Sequence, residues 1–120
     1  MLFSSWFSTA PAKTDLDDIP KKTHCYHIEG FLSCIYFQNA IEVGDRLSEK
    51  HPHIKVDVNA YVREQWADRS KELQQAFGTS HRTSPFIYEG CSTDRQNLVG
   101  GYTDFAKRIK ETYKMNVPLD

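Results

Sequence analysis

The spacing of apolar side chains along residues 24–113 predicts alternating strands and helices. Short or alternating apolar segments indicate strands at 24–28, 54–58, 85–88 and 98–99. Three other segments have the apolar spacing of a buried helix face: Phe37, Ala40, Ile41, Gly44 and Leu47, then Trp66, Leu73, Ala76 and Phe77, then Phe105, Ala106, Ile109 and Tyr113. The order strand, helix, strand, helix, strand, strand, helix indicates an α/β fold with a mixed sheet that helices cover.

The predicted helix ends rest on residues with known capping preferences. Ser33 is a good N-cap residue, so the first helix is predicted to begin at Cys34 and to stop before Pro52. Gly78 stands where a left-handed C-terminal cap of the second helix is expected. The polar segment 90–96 is predicted to turn between the last two strands, which form a hairpin.

Residues 1–20 are predicted to be an N-terminal extension of a domain that spans residues 21–120, because they lack a sustained apolar period. Three aromatic side chains of this arm would share one side of a helical turn: Phe3, Trp6 and Phe7. The predicted helices and strands of the domain already have apolar faces of their own. We therefore expect the arm to bind a partner chain, with packing onto its own domain as the alternative.

Length and charge exclude several classes of protein. A chain of 120 residues suffices for one domain, and a net charge of -1 gives no positive field for nucleic acid. No apolar segment approaches the roughly 20 residues that span a membrane, so no membrane partner is expected. Residues 1–14 weakly resemble a transit peptide but contain no Arg. We expect an uncleaved cytoplasmic protein, with a mitochondrial location as the alternative.

The cysteines are predicted to be free thiols in a reducing compartment. There are three, an odd number, at spacings that match neither a disulfide framework nor a zinc site. Cys25 lies in the first strand, Cys34 at its exit and Cys91 in the hairpin turn. This placement predicts no disulfide, because bridged cysteines need Cα atoms within about 7 Å of each other. The five histidines are scattered, so no metal site is expected.

Three segments, in the right order and at predicted element boundaries, resemble glutaredoxin motifs. Residues 33–37 (SCIYF) are similar to the family's S-x-C-P-Y-C region, and residues 82–85 (RTSP) to its R-T-V-P. Residues 99–104 (VGGYTD) are similar to its G-G-x-T-D turn, and the resemblance covers about residues 22–115. Residues 80–85 (SHRTSP) also resemble a segment of the small glutaredoxin-like domain at the front of malate-dehydrogenase-like proteins.

The resemblance implies a thioredoxin fold, with a four-stranded mixed sheet flanked by three helices. It assigns Cys34 to the nucleophilic position, at a helix N-terminus whose dipole stabilises a thiolate. It also implies a cis peptide bond between Ser84 and Pro85, beside Cys34. Glutathione, if its site is retained, is expected at Tyr36, Thr83, Ser84, Pro85, Gly101, Tyr102, Thr103 and Asp104.

The site also departs from the family pattern. The second cysteine is Phe37, the active-site proline is Ile35, and the lysine that helps to grip glutathione is Phe31. The hairpin carries an insertion at 91–97. These changes favour the interpretation that Cys34 is a half-buried apolar residue in a groove that Phe31, Ile35 and Phe37 close.

Two hypotheses of function remain open. The favoured one is a degenerate glutaredoxin-like module, without a cofactor, that binds proteins as a structural subunit of a larger assembly. Fold-level analogy suggests a microtubule or axonemal cytoskeleton, with tubulin or axonemal proteins as partners. The alternative is a monothiol oxidoreductase, in which Cys34 reacts with a glutathione mixed disulfide and a second glutathione resolves the intermediate.

Overall fold

The computed structural model describes residues 22–118, which form a four-stranded sheet and three helices. The elements in chain order are β1 (His24–Phe31), α1 (Ile35–Lys50), β2 (Ile54–Tyr61), α2 (Arg63–Phe77), β3 (Phe86–Glu89), β4 (Asn97–Gly100) and α3 (Tyr102–Tyr113). The predicted α/β class, with a mixed sheet and three helices, is confirmed. The predicted arm, with Phe3, Trp6 and Phe7, lies outside the described residues, and its binding to a partner stays a prediction.

The sheet has the strand order β2-β1-β3-β4. β1 runs parallel to β2, with Phe31 opposite Tyr61, and β3 is antiparallel to both β1 and β4. Because parallel neighbours need a crossover connection, α1 links β1 to β2 across one face of the sheet. The carboxyl ends of β1 and β2 therefore meet at one edge, where the Leu32 N–H donates to the Tyr61 carbonyl oxygen at 2.8 Å. Cys34 lies at this edge.

Alternate side chains of β1 contribute to two separate cores. Tyr26 and Ile28 belong to the larger core under α1 and α3, whose largest members also include Phe37, Leu47, Phe105 and Ile109. Phe31 packs against the smaller core under α2, which consists of Trp66, Leu73, Phe86 and Tyr88. The predicted apolar faces of α1 and α3 are thus the faces that pack on the sheet.

The apolar patterns of β2 and α2 differ in detail from the prediction. Val58 is 36 % exposed, because β2 is an edge strand and its second half is uncovered. Ala76, predicted for the buried face of α2, is exposed. Ser70 is buried there instead, and its hydroxyl donates to the carbonyl oxygen of Ala67 at 3.1 Å. That local hydrogen bond lets a polar side chain occupy a core position.

The start of α1 also differs from the prediction. The N-cap is Cys34, with extended backbone angles of φ -84° and ψ 120°, so Ser33 is not the cap. The Cys34 N–H donates to the Phe31 carbonyl oxygen at 3.1 Å, which makes a tight turn between β1 and α1. That turn delays the first helical residue to Ile35. The predicted left-handed cap at Gly78 is confirmed, with φ 59°.

The prediction that no disulfide is present is wrong. Cys25 and Cys91 are bridged, with Cα atoms 4.9 Å apart. The antiparallel pairing of β1 with β3 brings the start of β1 opposite the end of β3, and the Gly90 N–H donates to the Cys25 carbonyl oxygen at 2.8 Å. Within the described residues, Cys34 is the free cysteine. The cysteine count therefore no longer indicates a reducing compartment.

A buried carboxylate ties β1 to α2. Glu29 is 1 % exposed, and its two oxygens accept hydrogen bonds from Nε and Nη2 of Arg69 at 2.8 and 3.0 Å. The hydroxyls of Tyr61 and Tyr88 also donate to this carboxylate. Burial by itself raises the pKa of Glu29, but the hydrogen bonds from Arg69, Tyr88 and Tyr61 outweigh it and hold the pKa below its usual range. Glu29 is therefore an ionised, fully paired buried group.

Candidate functional site

Cys34 lies between the end of β1 and the first turn of α1. Its side chain is half-buried, and its thiol donates to the carbonyl oxygen of Ser84 with an Sγ–O distance of 3.5 Å. The peptide bond between Ser84 and Pro85 is cis. The prediction of a cis bond at Pro85 beside Cys34 is confirmed.

An open groove of about 280 Å³ lies next to Ser84. Its walls contain every residue predicted for glutathione: Tyr36, Thr83, Ser84, Pro85, Gly101, Tyr102, Thr103 and Asp104. These residues come from the first turn of α1, the segment before β3 and the first turn of α3. They meet because β3 lies between β1 and β4 in the sheet, so the three segments share one edge. Cys34 is not part of the wall, but its sulfur contacts the wall at Ser84.

The first turn of α3 forms the polar wall of the groove. Gly100 has φ +129°, a conformation that favours glycine, and Asp104 Oδ2 occupies the place of its missing Cβ. The Gly101 N–H donates to Asp104 Oδ2 at 3.4 Å. The first N–H groups of a helix have no partners within the helix and favour anions. This wall therefore suits a ligand end that carries both a carboxylate and an ammonium group.

His81 lines the groove, although the sequence analysis did not assign it to the site. Its Nε2 lies 3.2 Å from the carbonyl oxygen of Pro85, and its ring packs edge-on against Phe86 with centroids 5.4 Å apart. His81 precedes Thr83 by two residues. His81 lies in the segment 80–85 that the sequence analysis quoted, and this closeness to Thr83 was the available signal.

Comparison with solved structures identifies the fold. The structure of E. coli glutaredoxin is 26 % identical in sequence, covers 76 % of this chain and 99 % of its own, and superposes with a TM-score of 0.55. The fold is glutaredoxin-like. The NMR structure of reduced Escherichia coli glutaredoxin matches with the same identity, coverage and TM-score. No family model and no curated protein matches the chain. The resemblance to the domain of malate-dehydrogenase-like proteins stays a prediction.

The residues expected to close the groove of this glutaredoxin-like fold do not close it. Phe37 is 1 % exposed and belongs to the larger core, whereas Ile35 is 61 % exposed. Two residues along a helix differ in direction by more than half a turn, so one side chain is buried and the other faces solvent. Phe31 packs on the α2 side, and the guanidinium carbon of Arg63 lies 4.8 Å from the centre of its ring. A cation therefore lies beside Phe31, although neither Arg63 nor Phe31 is among the residues that line the groove.

Exposed apolar side chains surround Cys34 in the glutaredoxin-like domain. They are Leu32 at 55 %, Ile35 at 61 %, Tyr36 at 49 % and Val62 at 46 % exposure. Residues 32 and 62 are close, because the end of β1 is hydrogen-bonded to the end of β2. Apolar side chains grouped in this way favour contact with another protein or with an apolar ligand.

Within residues 22–118, no helix is long and apolar enough to cross a membrane. No group of three metal-binding side chains lies together there either.

Proposed function

We propose that this protein is a monothiol thiol–disulfide oxidoreductase that uses glutathione, with Cys34 as the reacting thiol. One observation carries the proposal: the predicted glutathione residues line a single open groove that meets the Cys34 sulfur at Ser84. The side chains that were expected to block this groove point elsewhere. A partly exposed cysteine at a helix N-terminus, next to a polar cleft, is an arrangement that suits thiol exchange.

The charges around the groove match the two ends of glutathione. Its glutamyl end carries a carboxylate and an ammonium group, which suit the N–H groups of the first turn of α3 and the Asp104 carboxylate. Its other end carries a second carboxylate. The guanidinium of Arg63, which lies outside the groove walls, is the proposed partner for a ligand that extends past Ser84, because the Phe31 N–H donates to Ser84 Oγ. The thiol in the middle would then lie near Ser84 and Cys34.

The proposed reaction needs no second protein cysteine. The Cys34 thiolate attacks the glutathione sulfur of a glutathionylated substrate, the substrate leaves as a thiol after taking up a proton, and Cys34 holds the glutathione as a mixed disulfide. A second glutathione thiolate attacks the glutathione sulfur of that mixed disulfide. Glutathione disulfide leaves, and the Cys34 thiolate is restored. The replacement of the second active-site cysteine by Phe37 is compatible with this cycle.

Cys34→Ser is expected to abolish glutathione-dependent reduction of a glutathionylated peptide, because serine cannot form the mixed disulfide. The assay follows release of the free peptide thiol in the presence of glutathione. Ser33→Ala is the matched control, since this neighbouring residue is exposed and is not the helix cap, and it should keep full activity. An inactive wild-type protein that binds no glutathione in calorimetry would overturn the proposal.

Arg63→Glu is expected to raise the KM for the glutathionylated peptide roughly five-fold, with a smaller change in kcat. The physical reason is the loss of one exposed charge pair with a glutathione carboxylate, and steady-state kinetics measure it. Lys71→Glu is the control, because it reverses an exposed charge elsewhere on α2. Equal changes in both variants would mean that Arg63 acts through net charge alone and does not contact glutathione.

A second candidate is a protein-binding module, which the exposed side chains of Leu32, Ile35, Tyr36 and Val62 favour. Its proposed partners are proteins of a larger cytoskeletal assembly in the cytoplasm, and tubulin or axonemal proteins are the favoured ones. Binding through these side chains would cover Cys34 and prevent catalysis. Absence of both glutathione binding and activity in the assay above would favour this candidate.

A further inference from the structure

The Cys25–Cys91 disulfide and Cys34 lie at opposite ends of β1. Cys25 is near the start of this strand and Cys34 follows its end, so the six strand residues 26–31, roughly 20 Å, and a tight turn lie between the two regions. We propose that Cys25–Cys91 is a second redox site that exchanges with an anionic small thiol, such as glutathione, through attack on Cys91. This proposal does not depend on the activity of Cys34.

The two bridged cysteines both line the adjoining cavity but differ in overall exposure. Cys91 is exposed and lies in the irregular segment between β3 and β4. Cys25 is half-buried within β1, paired with Lys55 of β2. In thiol–disulfide exchange the accessible sulfur is attacked and the other sulfur leaves. Access therefore selects Cys91 as the attacked atom and Cys25 as the leaving thiolate.

A cavity of about 410 Å³ adjoins the disulfide, and its charge favours an anion. Lys22 and Arg95 both line it. The carboxylate in its wall, Glu89, already accepts a hydrogen bond from Nη1 of Arg108 at 2.8 Å and lies 3.2 Å from Nε2 of His24. The two cations are therefore left to attract the carboxylates and the thiolate of an incoming thiol.

The loop that carries Cys91 is held by hydrogen bonds that do not involve either sulfur. The Gly90 N–H donates to the Cys25 carbonyl oxygen at 2.8 Å, and the Gly90 carbonyl oxygen lies 2.9 Å from Nε2 of His27. These contacts keep Cys91 opposite Cys25 after the S–S bond opens. The disulfide can therefore re-form in place, which is the property of a reversible pair.

The exchange balances with glutathione as the reductant. A glutathione thiolate attacks Cys91 Sγ, the Cys25–Cys91 bond breaks, and Cys25 leaves as a thiolate that takes up a proton. A second glutathione thiolate attacks the glutathione sulfur now bound to Cys91. Glutathione disulfide leaves. The two glutathione molecules have together given two electrons to the protein, which now has two thiols in place of its disulfide. The reverse sequence, driven by glutathione disulfide, restores the bridge.

Mass spectrometry of the full chain tests which sulfur reacts. Cys34→Ser is combined with Cys25→Ser or with Cys91→Ser, and each double variant is treated with glutathione disulfide while circular dichroism reports that it is folded. We expect the adduct on Cys91 to form about ten-fold faster than the adduct on Cys25. Equal rates, or faster reaction of Cys25, would overturn the assignment.

The charge of the cavity is tested in the Cys34→Ser protein with its disulfide intact. Arg95→Glu should slow reduction by glutathione about five-fold, but should slow reduction by 2-mercaptoethanol much less, because the thiolate of 2-mercaptoethanol carries no carboxylates. Lys71→Glu, a charge reversal on α2, is the matched control and should match the parent with both thiols. The proposal fails if glutathione does not reduce the folded protein, or if Arg95→Glu affects the two thiols equally.

Discussion

Arg69→Leu is expected to lower the free energy of unfolding by about 3–5 kcal/mol, because it leaves a buried charge without its partner. Arg69 donates two of the hydrogen bonds to Glu29, which is 1 % exposed. Without them, the carboxylate keeps the hydroxyls of Tyr61 and Tyr88 but no positive charge. Urea unfolding at neutral pH, followed by circular dichroism, measures the loss.

Two further variants separate the buried pair from surface charge effects. Arg69 also contacts Glu72, through Nη1 and Oε1 at 2.9 Å, but the Glu72 side chain is 65 % exposed. Glu72→Gln is therefore expected to change stability by less than about 0.5 kcal/mol. Adding Glu29→Gln to Arg69→Leu should recover part of the loss, because no charge is then buried. If Arg69→Leu is no less stable than Glu72→Gln, the buried pair does not hold α2 on the sheet.

The contribution of Glu29 to the free energy of unfolding should change with pH in opposite directions in the wild type and in Arg69→Leu. In the wild type the folded pKa of Glu29 is lowered from its ordinary value of 4.5. The stabilisation is therefore complete above the unfolded pKa and is lost as the pH falls through the folded pKa. In Arg69→Leu we expect burial to raise the folded pKa. Glu29 then contributes stability below the unfolded pKa, and this contribution is lost as the pH rises through the folded pKa.

The order of the elements and most of the groove could be predicted from the sequence, because both depend on local patterns. Apolar spacing indicated each helix and strand, and the motifs of the groove lie at element ends, where the fold brings them together. The cis bond at Pro85 followed from one such motif. His81 was missed because it lies outside the motif at 82–85 on which the predicted glutathione site was based, although it stands only two residues before Thr83.

The features that were missed depend on strand register and side-chain direction. Cys25 and Cys91 are separated by 66 residues, and they meet only because β1 and β3 pair in one particular register. The burial of Glu29 required its partner on α2, and no local pattern connects the two. The groove was expected to be closed by Phe31, Ile35 and Phe37, whereas the fold buries Phe37 in the core, leaves Ile35 in solvent and packs Phe31 on the α2 side.

Gly30→Ala is expected to destabilise the domain by about 1–3 kcal/mol and to disturb the surroundings of Cys34. Gly30 is buried in β1, and a Cβ there would lie 2.5 Å from Cδ1 of Phe37 and closer still to Oγ of Ser84. Phe37 is enclosed by the larger core and has little room to move. The contact with Phe37 accounts for the lost stability. The separate contact with Ser84 requires its Oγ to shift, and this oxygen would then lose the hydrogen bond that it accepts from the Phe31 N–H at 3.1 Å.

The displacement of Ser84 should be visible at Cys34, whose thiol donates to the Ser84 carbonyl oxygen. We expect iodoacetamide to alkylate Cys34 faster in Gly30→Ala than in the wild type, because the sulfur loses that contact. Gly44→Ala is the matched control, because Gly44 lies in α1, away from Ser84. Its Cβ would lie 2.8 Å from Cγ1 of Val56, so this variant tests overcrowding alone. Its Cys34 should react at the wild-type rate. If Gly30→Ala unfolds at lower urea concentration but its Cys34 also reacts at the wild-type rate, the Ser84 side chain turns aside without moving its carbonyl oxygen, and Gly30 does not support the site.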